Sequence, residues 1–175
     1  MNKTVTILGS SKPLPGEAEY ENAYKLAKIL SESGLNICSG GFGGIMDAVS
    51  RGAKETGTEA IGVTVNLYNA VPSKYLSEEI RCDTLFNRLE NLINKGDAYI
   101  VLPGGTGTLL ELSLVWEYFN KGITPVKPFA CVGDMWNKLS KIIDERMDFE
   151  NRQKGLIKSF EDIESCAEYI ISSLK

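Results

Sequence analysis

The residues of this sequence best suited to chemistry gather in three glycine-rich stretches. They are Gly9-Ser10-Ser11, Ser39-Gly40-Gly41-Phe42-Gly43-Gly44 and Pro103-Gly104-Gly105-Thr106-Gly107-Thr108. Glycine has no Cβ, so backbone N–H groups in such turns approach an anion closely. A helix that starts at once adds the positive end of its dipole. One such turn alone signifies no more than tight strand-to-helix packing, and the first stretch by itself supports only that. Three in one chain favour a phosphate site, built from Gly9, Ser10, Ser11, Gly40, Gly41, Gly43, Gly44, Gly104, Gly105, Thr106, Gly107 and Thr108. The second stretch lacks the third glycine of Gly-x-Gly-x-x-Gly, and no acidic residue ends the next strand-like run. The third lacks the Gly-Lys-Ser/Thr of a P-loop. Dinucleotide redox chemistry and ATP hydrolysis are therefore not indicated.

A carboxylate and a guanidinium supply the second clue. Glu111 lies one turn into the apolar helix expected after Pro103, where the helix dipole favours negative charge. Buried alone, it would be strongly disfavoured or would take up a proton. Arg88, fifteen residues before Pro103 on the preceding helix, is the expected partner. A plain ion pair between two helices and a catalytic pair fit these residues equally well. Asp47 is a weaker candidate for contacting a base; as an exposed helix residue it is expected to be structural. The chain has no histidine, which removes a histidine general base, Ser-His-Asp and Cys-His triads and histidine-containing zinc sites.

The elements that must position these groups alternate short apolar runs with longer amphipathic ones, as βαβ units do. Five strands are expected: 4–8, 35–38, 59–65, 98–102 and 129–132. Helices are expected over 17–33, 45–56, 84–95, 106–120, 135–147 and 163–174, with Ser159-x-x-Asp162 resembling a capping box before the last. The segment 66–79 has no clear period and reads as a loop over the C-terminal edge of the sheet. The fold class is α/β, a doubly wound parallel sheet (Rossmann-like), with residues 1–175 forming a single domain. In such sheets ligands bind beyond the carboxyl ends of the strands, where strand order switches.

From Leu109 to Phe119, eight of eleven residues are apolar, too many for one buried stripe. One face is expected against the sheet and the other against a second copy, with Tyr118 or Phe119 facing outward. The net charge of −4, with no basic stripe, argues against a nucleic-acid partner. No apolar run is long enough to span a membrane. The start carries no signal-like segment and the four cysteines form no Cys-x-x-Cys, so a cytoplasmic protein with reduced thiols is expected.

Pro103 to Glu111 reads Pro-Gly-Gly-x-Gly-Thr-x-x-Glu in full, with Arg88 fifteen residues upstream. This motif resembles the Lonely Guy (LOG) family, whose earlier label was "possible lysine decarboxylase". The second and first glycine stretches look like that family's other two turns, and the resemblance spans about Val5 to Gly133. It implies hydrolysis of the N-glycosidic bond of a nucleoside 5′-monophosphate, with Arg88 and Glu111 catalytic. It implies no metal and no organic cofactor, and a homodimer or larger homo-oligomer. Leu89 and Leu110 stand where family members acting on cytokinin nucleotides carry Lys and Glu. A related branch, the molybdenum-cofactor carriers, binds its ligand without turnover, and that is the alternative.

Overall fold

Short strands joined through amphipathic helices need cover on both faces, which is the condition of a parallel sheet between two helical layers. The computed structural model describes residues 2–175; Met1, the first residue of the expected domain, lies outside the described residues. The elements run β1 (Thr4–Leu8), α1 (Ala18–Glu32), β2 (Asn36–Ser39), α2 (Ile45–Thr56), β3 (Ala60–Val65), β4 (Glu78–Cys82) and α3 (Leu85–Lys95). They continue with β5 (Ala98–Val101), α4 (Thr106–Asn120), β6 (Phe129–Val132), α5 (Asp134–Phe149), β7 (Lys158–Phe160) and α6 (Ile163–Leu174). Every residue of β1, β2, β3, β5 and β6 is buried.

The seven strands form one sheet in the order β4-β3-β2-β1-β5-β6-β7, parallel throughout. Two cores result. One packs α1, α2 and α6 on the sheet, through side chains such as Leu26, Val49 and Ile170. The other packs α3, α4 and α5 on the opposite face, through Leu92, Trp116 and Trp136. The chain reverses its direction of travel across the sheet beside β1, which is the switch point where ligands bind.

Two strands exceed the five expected. β4, Glu-Glu-Ile-Arg-Cys, buries only Cys82, and β7 is three residues long with Lys158 and Ser159 exposed. Both are edge strands, which short length and charge protect from pairing with other chains, so neither shows an apolar run. The expected loop 66–79 therefore ends in β4 at Glu78. The expected capping box also differs. Asp162 itself caps α6, accepting from the Ser165 N–H at 2.7 Å, while the Ser159 hydroxyl lies near Cys131 and Ser140. Phe119 does not face outward. It is 4% exposed and meets Tyr99 and Phe129 edge to face, with centroids 5.9 Å apart. The apolar residues that α4 does expose are Leu109 and Leu110, with Tyr118 half-buried.

The packing of α1 on α2 is close at Gly52, where a Cβ would lie 2.7 Å from the Tyr24 carbonyl oxygen and 3.0 Å from the Ala27 Cβ. Gly→Ala in an open helix interior gains about 1 kcal/mol. Here Gly52→Ala should instead destabilise the protein by about 1–3 kcal/mol, the cost of overpacking. Urea unfolding measures the sign, and a stabilised variant would show that the two helices do not touch as described.

Candidate functional site

The three glycine-rich stretches meet at the switch point, and Ser10 joins them. Its N–H donates to the Pro103 carbonyl at 3.0 Å, and its carbonyl accepts from the N–H of Ile45, the first residue of α2, at 2.8 Å. That closeness explains part of the glycine content. Gly44 takes φ of 69°, and a Cβ there would lie 2.4 Å from the Ser10 carbonyl oxygen. A Cβ on Gly9 would meet Ile45, one on Gly41 would meet Thr64 and Gly62, and one on Gly104 would meet Thr108. Gly105 and Gly107 differ: a Cβ on either would meet nothing within 4 Å.

Above the joined turns is a cavity of about 490 Å³, within the usual range for small-molecule sites. Gly9, Ser10 and Ser11 line it from the first turn, Gly40 from the second, and Gly105, Thr106, Gly107 and Thr108 from the third. Arg88 and Glu111 line it as well. Gly41, Gly43, Gly44 and Gly104 do not, and three of these four are occupied in packing the turns together. Ile7, Leu8, Lys12, Phe42, Met46, Tyr68 and Ala70 complete the lining and were not singled out from the sequence as site residues. Phe42 was the one large side chain inside a glycine run, and Tyr68 belonged to the aperiodic segment expected over this edge. Those were the available signals.

Thr106, Gly107 and Thr108 open α4, whose N-cap Gly105 supplies no side-chain cap. Their N–H groups donate to no other described residue. Unpaired donors at a helix start, together with the dipole, constitute an anion-accepting surface.

Arg88 lies beneath. Its Nε donates to the Val63 carbonyl at 2.9 Å and its Nη1 to Glu111 Oε1 at 3.0 Å. The two side chains are only 7% and 11% exposed. Gly40 is what admits the guanidinium, since a Cβ there would lie 1.9 Å from Arg88 Nη2. Burial pushes the Glu111 carboxyl above the usual carboxylate range; the charge and hydrogen bond of Arg88 pull it back by less. Among the described residues, no donor approaches Glu111 Oε2.

Asp47 is not the exposed residue expected. It is half-buried and accepts from the Tyr20 hydroxyl and the Ser73 hydroxyl, both at 2.6 Å. Both of its oxygens are thus engaged in holding α1, α2 and the segment after β3 together.

The sequence model described as the SLOG cluster4 family matches residues 2–160. A cytokinin riboside 5′-monophosphate phosphoribohydrolase of Mycobacterium tuberculosis is 32% identical over 135 residues, covering 76% of this chain and 71% of that one. The chain belongs to the LOG family, SLOG cluster4. Another LOG relative, the enzyme of the same description from Rhodococcoides fascians, is 27% identical over 136 residues, covering 75% of this chain and 68% of that one. The LOG fold here superposes on the molybdenum cofactor carrier protein of Chlamydomonas reinhardtii with a TM-score of 0.80 at 20% identity, each chain 99% covered. A molybdenum cofactor binding protein from Rippkaea orientalis gives 0.78 at 21% identity, covering 100% of this chain and 99% of that one.

The raised Glu111 carboxyl fixes a sign for stability against pH. A folded-state value above the unfolded one, about 4.3 for Glu, means the folded chain keeps a proton that the unfolded chain releases. The contribution of Glu111 is therefore fully present below the ordinary Glu range and is lost as pH rises through its folded-state value. Compared with Glu111→Gln, which cannot titrate, the wild type should lose relative stability from about pH 4 upward. Urea midpoints of both proteins across that range measure this. A difference that stays flat, or moves the other way, would mean that Arg88 outweighs burial.

Proposed function

We propose that this LOG protein hydrolyses the N-glycosidic bond of nucleoside 5′-monophosphates, giving free base and ribose 5-phosphate. The observation that carries the proposal is the buried Arg88–Glu111 pair opening onto the same cavity as the unpaired amides of α4. The descriptions of the mycobacterial and rhodococcal relatives support the reaction class.

The 5′-phosphate binds the N–H groups of Thr106, Gly107 and Thr108 and the hydroxyls of Thr106 and Ser10. Lys12, which forms no ion pair among the described residues, adds a cation at the cavity mouth. Water then adds its oxygen to C1′ while the C1′–N bond breaks, its electron pair leaving with the base. With no histidine in the chain, the attacking water releases its proton to solvent and the departing base takes one up from it. Positive charge builds on the ribose ring in the transition state, and a carboxylate stabilises such a charge and orients the water. Glu111 fills that role through Oε2, and Arg88, bonded to Oε1, is the group that favours its ionised form. No metal and no organic cofactor enters the scheme.

The exposed Leu109 and Leu110 of α4 support a homodimer or larger assembly with this face near the symmetry axis. Four buried free cysteines support residence in the reducing cytoplasm. Among the described residues, no helix is long and apolar enough to cross a membrane. Light scattering tests the assembly, and a monomer at micromolar concentration would refute it.

One observation favours a second reading, a carrier that binds a nucleotide or cofactor without turnover. Burial of Glu111 outweighs the pull of Arg88, and a neutral carboxyl stabilises no cation. Single-turnover base release beside calorimetric affinity separates the two. AMP should bind more tightly than adenosine and release adenine. Glu111→Gln should lower release by on the order of a hundredfold with AMP affinity little changed, because its effect falls on the transition state. Arg88→Ala should weaken both. Tight AMP binding by the wild type with no base released from any monophosphate would select the carrier, and equally fast release by Glu111→Gln would remove that residue from catalysis.

A further inference from the structure

The segment between β3 and β4 is held unevenly. At its start the Asn66 N–H donates to the Cys82 carbonyl at 3.0 Å and the Asn66 side-chain amide to Asp83 at 3.1 Å. Its later part is fixed more firmly. Ser73 donates its N–H to the Gly41 carbonyl at 2.9 Å and its hydroxyl to Asp47 Oδ1 at 2.6 Å, a short bond to a charged acceptor. The Tyr20 hydroxyl on Asp47 Oδ2 keeps that carboxylate in place, and Ser77 bonds to Ala60 through both its backbone and its hydroxyl. Between these posts, residues 67–72 make a single hydrogen bond among the described residues. It runs from the Tyr68 N–H to the Val65 carbonyl at 3.5 Å, longer than the normal range.

The same stretch carries apolar surface that no described residue covers. Leu67 is 63% and Val71 86% exposed. Tyr68 is half-exposed and touches Phe42 edge to face, and Tyr68 and Ala70 line the cavity. Single exposed apolar side chains are ordinary. Here two of them flank cavity-lining residues on one weakly bonded arc. The strand order β5, β1, β2, β3 sets this arc three inter-strand steps, each roughly 4.8 Å, from the helix start that follows β5. A ligand that meets both must span the cavity.

We infer that residues 67–72 form a strap that closes over the occupied cavity, pivoting at Asn66 and at the Ser73–Asp47 post and turning Leu67 and Val71 out of water onto the ligand and the facing wall. The inference rests on the cavity's binding a ligand with its phosphate at α4, as proposed above, and it needs no hydrolysis. Few hydrogen bonds and few buried contacts place a segment among the first to move, and short loops of this kind gate many sites. Fixed ends confine the movement to a few residues, so little freedom is lost on closing. Closure is driven by the apolar area it buries. Its effect therefore falls on ligand release and leaves the stability of the unliganded fold unchanged.

Amide hydrogen exchange and calorimetry on the full chain, with AMP and inorganic phosphate as probes, test the strap. AMP spans the cavity and should slow exchange across residues 67–71. Inorganic phosphate fills only the α4 end and should leave that exchange as it was. A variant carrying Leu67→Ser and Val71→Ser together alters only side chains exposed in the unliganded protein, so its urea midpoint should match the wild type. Its AMP affinity should fall about tenfold or more, through faster dissociation, with phosphate affinity unchanged. Exchange at 67–71 that AMP does not slow, or AMP affinity untouched by the double variant, would overturn the strap. So would protection by inorganic phosphate equal to that by AMP, which marks a general stiffening of the fold. Failure of the site itself looks different: a wild type that binds neither AMP nor phosphate removes the cavity as a ligand site, and the strap with it. The expected pattern without base release upholds the strap and overturns only the hydrolytic step.

Discussion

The guanidinium of Arg88 is the group around which the site is arranged. It is a charge with 7% of its side chain exposed, so its surroundings must supply partners or the fold pays several kcal/mol. Val63 within β3 gives a carbonyl and Glu111 on α4 gives a carboxylate. Gly40 at the end of β2 gives space, through the side chain it lacks. One cation thereby links β3 to a helix from the other half of the sheet, beside the turn that follows β2. Its partner Glu111 is left buried, with one oxygen bound and the other facing no protein donor.

The glycines at this edge serve two separate purposes. Gly9, Gly40, Gly41, Gly44 and Gly104 are places where another part of the protein occupies the Cβ position. They let three turns and an arginine pack at backbone distance. Gly105 and Gly107 have empty space where a Cβ would be, at a helix start whose amides are unpaired. The sequence presents both kinds as one glycine-rich signal. Only the three-dimensional neighbours separate packing from vacancy.

That distinction also marks how far sequence reasoning reached. The buried strands were legible because five short, mostly apolar runs alternate with amphipathic helical ones, as a covered parallel sheet requires. β4 and β7 were not, because edge strands owe their place to one neighbour's backbone and need no apolar side chains. Arg88 and Glu111 were paired from the cost of burying a carboxylate alone, an argument that needs no coordinates. Phe119 was misplaced because a count of apolar residues says that a helix has two covered faces without saying which residue lies on which. Tyr68 escaped notice because a lone aromatic in an aperiodic segment is ordinary until its ring is seen edge to face with Phe42 at the cavity. Asp47 was taken for an exposed residue because its two hydroxyl partners come from elements far away in the chain.

The hydrogen bond from Ser10 to Pro103 bears on the order in which the molecule assembles. β1, α1, β2, α2 and β3 are consecutive and can pair as local βαβ units. The central strand β1, however, acquires its other neighbour only when β5 arrives from more than half the chain away. Closing so long a loop costs entropy before any contact repays it, and such distant pairings slow folding. Ser10 and Gly40 belong to the early half, while Thr106 to Glu111 belong to the late one. A nascent chain that has completed its first three strands therefore carries half a cavity and no helix start to receive a phosphate. The cavity is whole only once β5 has joined β1, so its formation reports the closing of the sheet.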